Sequence, residues 1–219
     1  CTSRIWVRVP QLANPTDFIW AYWGNPLAAD PPPWATNGSV WAPDHYLVWH
    51  LKENGFPYAD SAQQFPALQG VTPSSVAGLV GLGALFNGTS QHLDAQAIDL
   101  GNAFTLSALL KLDAAASNIQ ALWANKPGGW NSAGFGLYIN SYNTADQELR
   151  LETGDGTAGH TAATATGAVS FGAWHHLAAV VDRTAGTAHL YVDGADLTAS
   201  PTIVTDFANQ SGVNLSRLT

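Results

Sequence analysis

The stretch GAWHHLAAVVDRTAGTAHLYVDGADLT, residues 172–198, constrains the fold of this chain more than any other. His176–Val181 and Thr187–Val192 have strand length and strand composition and are separated by DRTAGT, which predicts two antiparallel strands joined by a hairpin. Asp193-Gly194 is a dipeptide suited to the left-handed backbone of a two-residue turn, and it returns the chain directly along ADLTAS. A three-stranded meander follows from local chemistry alone.

Runs of the same kind recur along the chain: YLVWHLKE (46–53), AGLVGLGALF (77–86), HLDAQAIDL (92–100), FTLSALLKL (104–112), IQALWAN (119–125), FGLYINS (135–141) and ELRLETG (148–154). Each is closed by Gly, Asn, Asp or Pro, and no stretch reads as a helix. Many short strands at this spacing predict an all-β fold, an antiparallel β-sandwich or jelly roll. SVAGLVGLGALF (75–86) is the longest apolar run; its length and glycines suit a buried strand and turn, and it is too short to span a bilayer.

The 219 residues carry 46% hydrophobic and 11% charged side chains, enough apolar surface to bury a substantial core. A net charge of −8 with only eight lysines and arginines, none clustered, excludes a nucleic-acid footprint. The scattered acids suit neutral partners or divalent cations.

Cys1 is the single cysteine, so no internal disulfide forms. It reads either as a processing boundary or as the lipid-modified first residue of a bacterial lipoprotein; RIWVRV (4–9), a strand pattern beginning almost at once, favours the first. DFIWAYW (17–23) alternates likewise. GNPLAADPPPWATNGS (24–39) has a linker's composition. The expected division is residues 1–42, a short β-rich segment with a Pro-rich linker, and 43–219, the sandwich. Trp6, Trp20, Trp23, Trp41 and Trp49 are expected to pack in the core or between modules.

ALFNGTSQHLDA (84–95), FTLSALLKLD (104–113) and WHHLAAVVDRTAGTAHLYVDGADL (174–197) together resemble the LamG-like jelly roll of the concanavalin A-like lectin and glucanase superfamily. VWHLKENGFPYADSA (48–62) resembles the beginning of such domains, so the resemblance covers roughly 43–219. WVRVP (6–10) with FIWAYWGNPLA (18–28) resembles the second half of a bacterial domain of unknown function that often precedes LamG-like domains. The family usually continues beyond a segment like VNLSRLT into one more strand. The resemblance therefore implies a sandwich edge open to strand addition, met by residues 4–23 or by another chain.

The resemblance also bears on chemistry. Glycosidases of the superfamily use two facing carboxylates; Glu148 and Glu152, four apart on one strand, share a face and are the catalytic candidates, set against a solvated strand face. His175 and His176, adjacent on a strand, point to opposite faces and cannot share an ion; in the family this position is structural. No serine-hydrolase elbow, zinc motif, phosphate loop or dinucleotide fingerprint is present. Calcium is the implied cofactor, with Asp60 in YADSA and Asp155 in TGDGTAG as its ligands. For sugar binding, NKPGGWNSAGFGLYINSYN (125–143) supplies Trp130, Tyr138 and Tyr142 as stacking rings and Asn125 and Asn131 as hydrogen-bonding groups, unless Trp130 merely seals the sandwich.

The expected function is a bacterial extracellular or cell-surface module that binds a polysaccharide or other glycan without covalent chemistry. The alternatives are a hydrolase acting on a glycan or ester, through the two glutamates or a dispersed Ser-His-Asp set, and a structural module that self-associates by strand addition.

Overall fold

A computed structural model describes residues 5–11, 13–32, 35–41, 43, 45–65, 69–95, 100–112, 117–126 and 129–200, and the backbone of 214–216. The chain divides into two compact units, Cys1–His50 with Ala59–Pro66, and Leu51–Tyr58 with Ala67–Thr219.

Among the described residues the strands lie in the second unit: β1 (Gln69–Val71), β2 (Ser74–Ala77), β3 (Leu82–Leu85), β4 (His92–Asp94), β5 (Ala103–Lys111), β6 (Gln120–Ala124), β7 (Gly134–Ile139), β8 (Leu149–Gly154), β9 (Gly159–Thr164), β10 (Trp174–Asp182), β11 (Thr187–Val192), β12 (Ala195–Asp196), β13 (Thr198–Ser200) and β14 (Asn214–Ser216). They form an eight-stranded sheet ordered β1-β4-β14-β6-β7-β8-β9-β13, a four-stranded sheet ordered β12-β11-β10-β5, and the separate hairpin β2-β3. Every ladder is antiparallel, as a sandwich requires.

The core lies between the two larger sheets. Alternation sends Phe135, Leu137 and Ile139 of β7 and Leu149 and Leu151 of β8 inward, and Leu177, Ala179 and Val181 of β10 with Ala188 and Leu190 of β11 meet them; all are almost fully buried. Phe104 of β5 and Phe135 of β7 bring their rings to 6.2 Å.

The meander forms as its sequence predicts. β10 and β11 pair from Leu177–Val192 to Asp182–Thr187, and Val192 faces Ala195 across Asp193-Gly194. Their φ angles of 52° and 84° are the left-handed pair of a two-residue hairpin.

Three expectations change. Residues 5–9 and 17–23 form no strand, and Trp6, Trp20 and Trp23 are exposed instead of buried in a core. An alternating pattern becomes a strand only where a neighbour completes its ladder, and none does so here among the described residues. The run at 75–86 has the expected turn, closed by Gly78 and Gly81, but it joins two short strands and is not buried: Leu79, Val80, Leu82 and Leu85 are exposed. Third, GHTAAT supplies an unexpected strand, β9, whose small residues gave no hydrophobic signal.

In the first unit, Trp6, Trp41 and His50 cluster, with Trp6 5.3 Å from Trp41 and 5.0 Å from His50. Trp49 bridges to Asp60.

Candidate functional site

β7 and β8 lie in the interior of the eight-stranded sheet, so each has one face in the core and one turned away from it. The residues between the core positions therefore build the outer face. Pairing sets Tyr138 beside Arg150 and Gly136 beside Glu152, then Arg150 beside Ala163 and Glu152 beside Thr161 on β9. On the other flank Ala121 and Ala124 of β6 stand opposite Tyr138 and Gly136. Tall polar side chains thus rise from a floor of Gly, Ala and Thr.

These polar groups form two ion pairs that flank Tyr138 in one series along the face. Arg150 Nη1 is 2.7 Å from Glu148 Oε2, and Thr166 Oγ1 donates to Glu148 Oε1 at 3.3 Å. Lys126 Nζ is 3.4 Å from Glu152 Oε2, with side chains only 7% and 18% exposed, so this pair is more shielded than an ordinary surface ion pair. Tyr138 stands between the two pairs, cross-strand from Arg150 and diagonal to Glu152. Burial, reinforced by Glu152, raises Tyr138 ionisation far above its usual range, so the phenol stays neutral. Burial works against the Arg150 charge, but Glu148 and Tyr138 outweigh it and hold the guanidinium protonated. Arg150 Nε is buried without a hydrogen-bond partner.

At one end of this face lies the turn carrying Trp130. Lys126 Nζ donates to the Trp130 carbonyl at 2.8 Å, and the Gly156 amide donates to the Asn131 carbonyl at 2.9 Å. Two glycines allow the turn to sit so close: any side chain on Gly154 would strike the Asn131–Ser132 backbone, and a methyl on Gly159 would come within 2.9 Å of the indole. Seated on this glycine, Trp130 remains 56% exposed. The arrangement can stack an apolar ring face on the indole while exchanging hydrogen bonds with the charged series beside it.

Of the residues proposed for binding, Trp130, Asn131 and Tyr138 share this region. Asn125 serves the fold, its Oδ1 accepting the Phe135 amide at 2.7 Å. Tyr142 is 74% exposed but follows the opposite end of β7, roughly 17 Å of strand away from Trp130's end. Lys126, Arg150 and Thr161 escaped the sequence reading. Arg150 sits visibly between the two glutamates, whereas Lys126 and Thr161 have no signal without the register.

Glu148 and Glu152 do share a face, as their spacing requires, but β8 is an interior strand and not an exposed one. A cation stands against each carboxylate, and Arg150 occupies the strand position between them, where a scissile bond would have to lie. A dispersed Ser-His-Asp set also exists. His175 Nδ1 donates to Asp193 Oδ2 at 2.8 Å, and its Nε2 lies 2.9 Å from Ser170 Oγ. With Nδ1 donating to Asp193, a neutral ring presents Nε2 as an acceptor to the Ser170 hydroxyl, and the Ser170 carbonyl lies 3.2 Å from the same nitrogen. The histidine ties the loop at Ser170 to the β11–β12 turn, and its hydrogen bond, followed by that of the His176 amide, holds the Asp193 carboxyl below its usual range.

Asp60 and Asp155 are engaged by backbone. Asp60 accepts four amides, from Val48 and Ala62 on Oδ1 and from Gln64 and Phe65 on Oδ2, at 2.9–3.2 Å. Asp155 Oδ1 accepts those of Thr157 and Ala158 at 2.7 Å, which lowers its carboxyl pKa. Calcium wants several converging oxygens, and an Asp60 whose lone pairs already serve four N–H groups does not fit that role. Among the described residues no group of three or more His, Cys, Asp or Glu could hold a metal ion. Nor, among them, is any helix long and apolar enough to cross a membrane.

The model of the Concanavalin A-like lectin/glucanases superfamily matches residues 87–216, more than half of the chain. The chain belongs to this superfamily. Among solved structures, this superfamily member is similar to Domain 4 of AbnA, a GH43 extracellular arabinanase from Geobacillus stearothermophilus solved with arabinotriose: 18% identity, 71% of this chain and 76% of that one, TM-score 0.50. Carbohydrate binding module CBM66 from Bacillus subtilis aligns at 11% identity over 70% and 90% of the two chains, TM-score 0.43. The CBM40 of Ruminococcus gnavus IT-sialidase bound to alpha2,3 sialyllactose aligns at 19% over 52% and 63%, TM-score 0.40. Identities this low bear on fold alone. Comparison with curated proteins gives no match.

Proposed function

We propose that the protein is a carbohydrate-binding module of a bacterial extracellular or cell-surface protein, holding a glycan on the outer face of β7 and β8 without covalent chemistry. The observation that carries this reading is Trp130: a 56% exposed indole, seated on Gly159 directly beside the Lys126–Glu152–Tyr138–Arg150–Glu148 series. An exposed ring costs hydration unless it meets an apolar face, and a sugar ring offers that face with hydroxyls at its rim. The fold shared with an arabinanase domain solved with arabinotriose is in keeping with this reading.

The hydrolase alternative through Glu148 and Glu152 loses support from the cations against both carboxylates. Calcium enters the reading only as an external test. A calcium ion bound by the native state alone would raise the melting temperature; the saturated Asp60 carboxylate leads us to expect no shift.

The test is a pull-down on insoluble and soluble polysaccharides, with and without a chelator, while the supernatant is assayed for released sugar. Retention without release, insensitive to the chelator, is the expected result. Released sugar would establish an enzyme. No retention on any glycan would shift the function to assembly through strand addition.

A further inference from the structure

Resting on that reading, we infer that the site selects uncharged glycans and excludes uronate- or sialate-type sugars, and that its selectivity is set by Glu148 and Glu152. The two cations of the face are both committed: Arg150 to Glu148 at 2.7 Å, and Lys126 to Glu152 at 3.4 Å and to the Trp130 carbonyl at 2.8 Å. The four ionised side chains sum to zero charge. Tyr138, the remaining polar group between the pairs, stays neutral because it is buried beside Glu152.

A sugar hydroxyl is both donor and acceptor, so a hydroxyl-rich ring satisfies an ion pair on both sides, donating to the carboxylate and accepting from the cation. A sugar carboxylate can only accept. It would have to draw Lys126 or Arg150 from partners held in a half-buried setting, while lying beside two like charges that are poorly screened there. The small floor of Ala121, Ala124, Gly136 and Ala163 adds no charge. The general bias of the chain, with net charge −8, acts in the same direction but is not specific to this face. Selectivity belonging to the site should therefore move with one substitution, whereas a bias of the whole surface should not.

Neutral pentose and hexose oligosaccharides and uronate oligosaccharides of matching length would be titrated into the 219-residue protein and into Glu152→Gln, at low and high salt. The wild type is expected to bind a neutral oligosaccharide with little salt dependence and to bind the uronates at least about tenfold more weakly. Glu152→Gln frees the Lys126 charge and is expected to gain about tenfold for the uronate, in a salt-sensitive way, while losing affinity for the neutral sugar. If Glu152→Gln fails to fold in a thermal melt, Glu148→Gln makes the same test through Arg150. Should neither variant fold, the salt series on the wild type decides: a neutral-sugar preference that persists at high salt belongs to the site, and one that vanishes belongs to the surface as a whole and overturns the inference. Uronate binding by the wild type equal to or tighter than neutral binding would overturn the inference and leave the glycan reading standing. A wild type that binds neither class would overturn the glycan reading itself.

Discussion

The two larger sheets turn very different outer faces away from their common core. On the four-stranded sheet the hydrogen-bonded pair His189–Asp196 has side chains 46% and 40% exposed, and the apolar Leu109 and Val180 are scattered among polar neighbours. On the eight-stranded sheet the side chains of Lys126, Glu152, Glu148 and Arg150 are 7–21% exposed and flank a buried tyrosine. The first face is water-screened, and its charges serve solubility. The second holds donors and acceptors in fixed positions before any ligand arrives, the preorganisation a binding face needs. Sheet position alone does not make the difference, since β11 and β10 also have neighbours on both sides; on the second face the Trp130 turn packs down at Lys126, Gly154 and Gly159.

The largest effect should come from breaking the recessed series at its centre. Arg150→Met leaves Glu148 without its cation and removes a partner of Tyr138, and is expected to cost about 2–3 kcal/mol of stability by urea unfolding. An effect below roughly 0.5 kcal/mol would place the two faces on an equal footing. Next in size is acid sensitivity at the β11–β12 turn. The carboxyl of Asp193 lies lower folded than unfolded, so its stabilising contribution is complete above the unfolded value near ~3.9 and disappears as pH falls through the folded value. Asp193→Asn should therefore flatten the acid side of the melting-temperature profile below about pH 4; an unchanged profile would remove His175–Asp193 as a clamp. The smallest effect belongs to the open face: His189→Ala should change stability by less than about 1 kcal/mol and leave glycan retention unaltered.

Local chemistry made the meander readable, because Asp193-Gly194 and alternating apolar residues determine a hairpin within a few positions. Trp130 was readable as a ring candidate for a similar reason, its loop being rich in Gly and Asn, and Tyr138 as an aromatic on the strand that follows it. What could not be read was long-range register. β9 is composed of Gly, Ala and Thr, so Thr161 carries no signal until it is paired with Glu152. Lys126 looks like a loop residue until the Trp130 turn folds over it. The segment at 17–23 shows the opposite failure: its aromatic alternation is strong, yet alternation alone does not supply a neighbouring strand.

The most direct measurement compares Trp130→Ala with Tyr142→Ala in glycan binding, using the oligosaccharide that the wild type retains. Both rings are exposed, but only Trp130 adjoins the recessed series, and Tyr142 follows the other end of β7. A loss of about tenfold or more for Trp130→Ala, with Tyr142→Ala unchanged and both melting temperatures near wild type, is the predicted result. Equal losses, or retention by Trp130→Ala, would contradict the assignment of binding to this face.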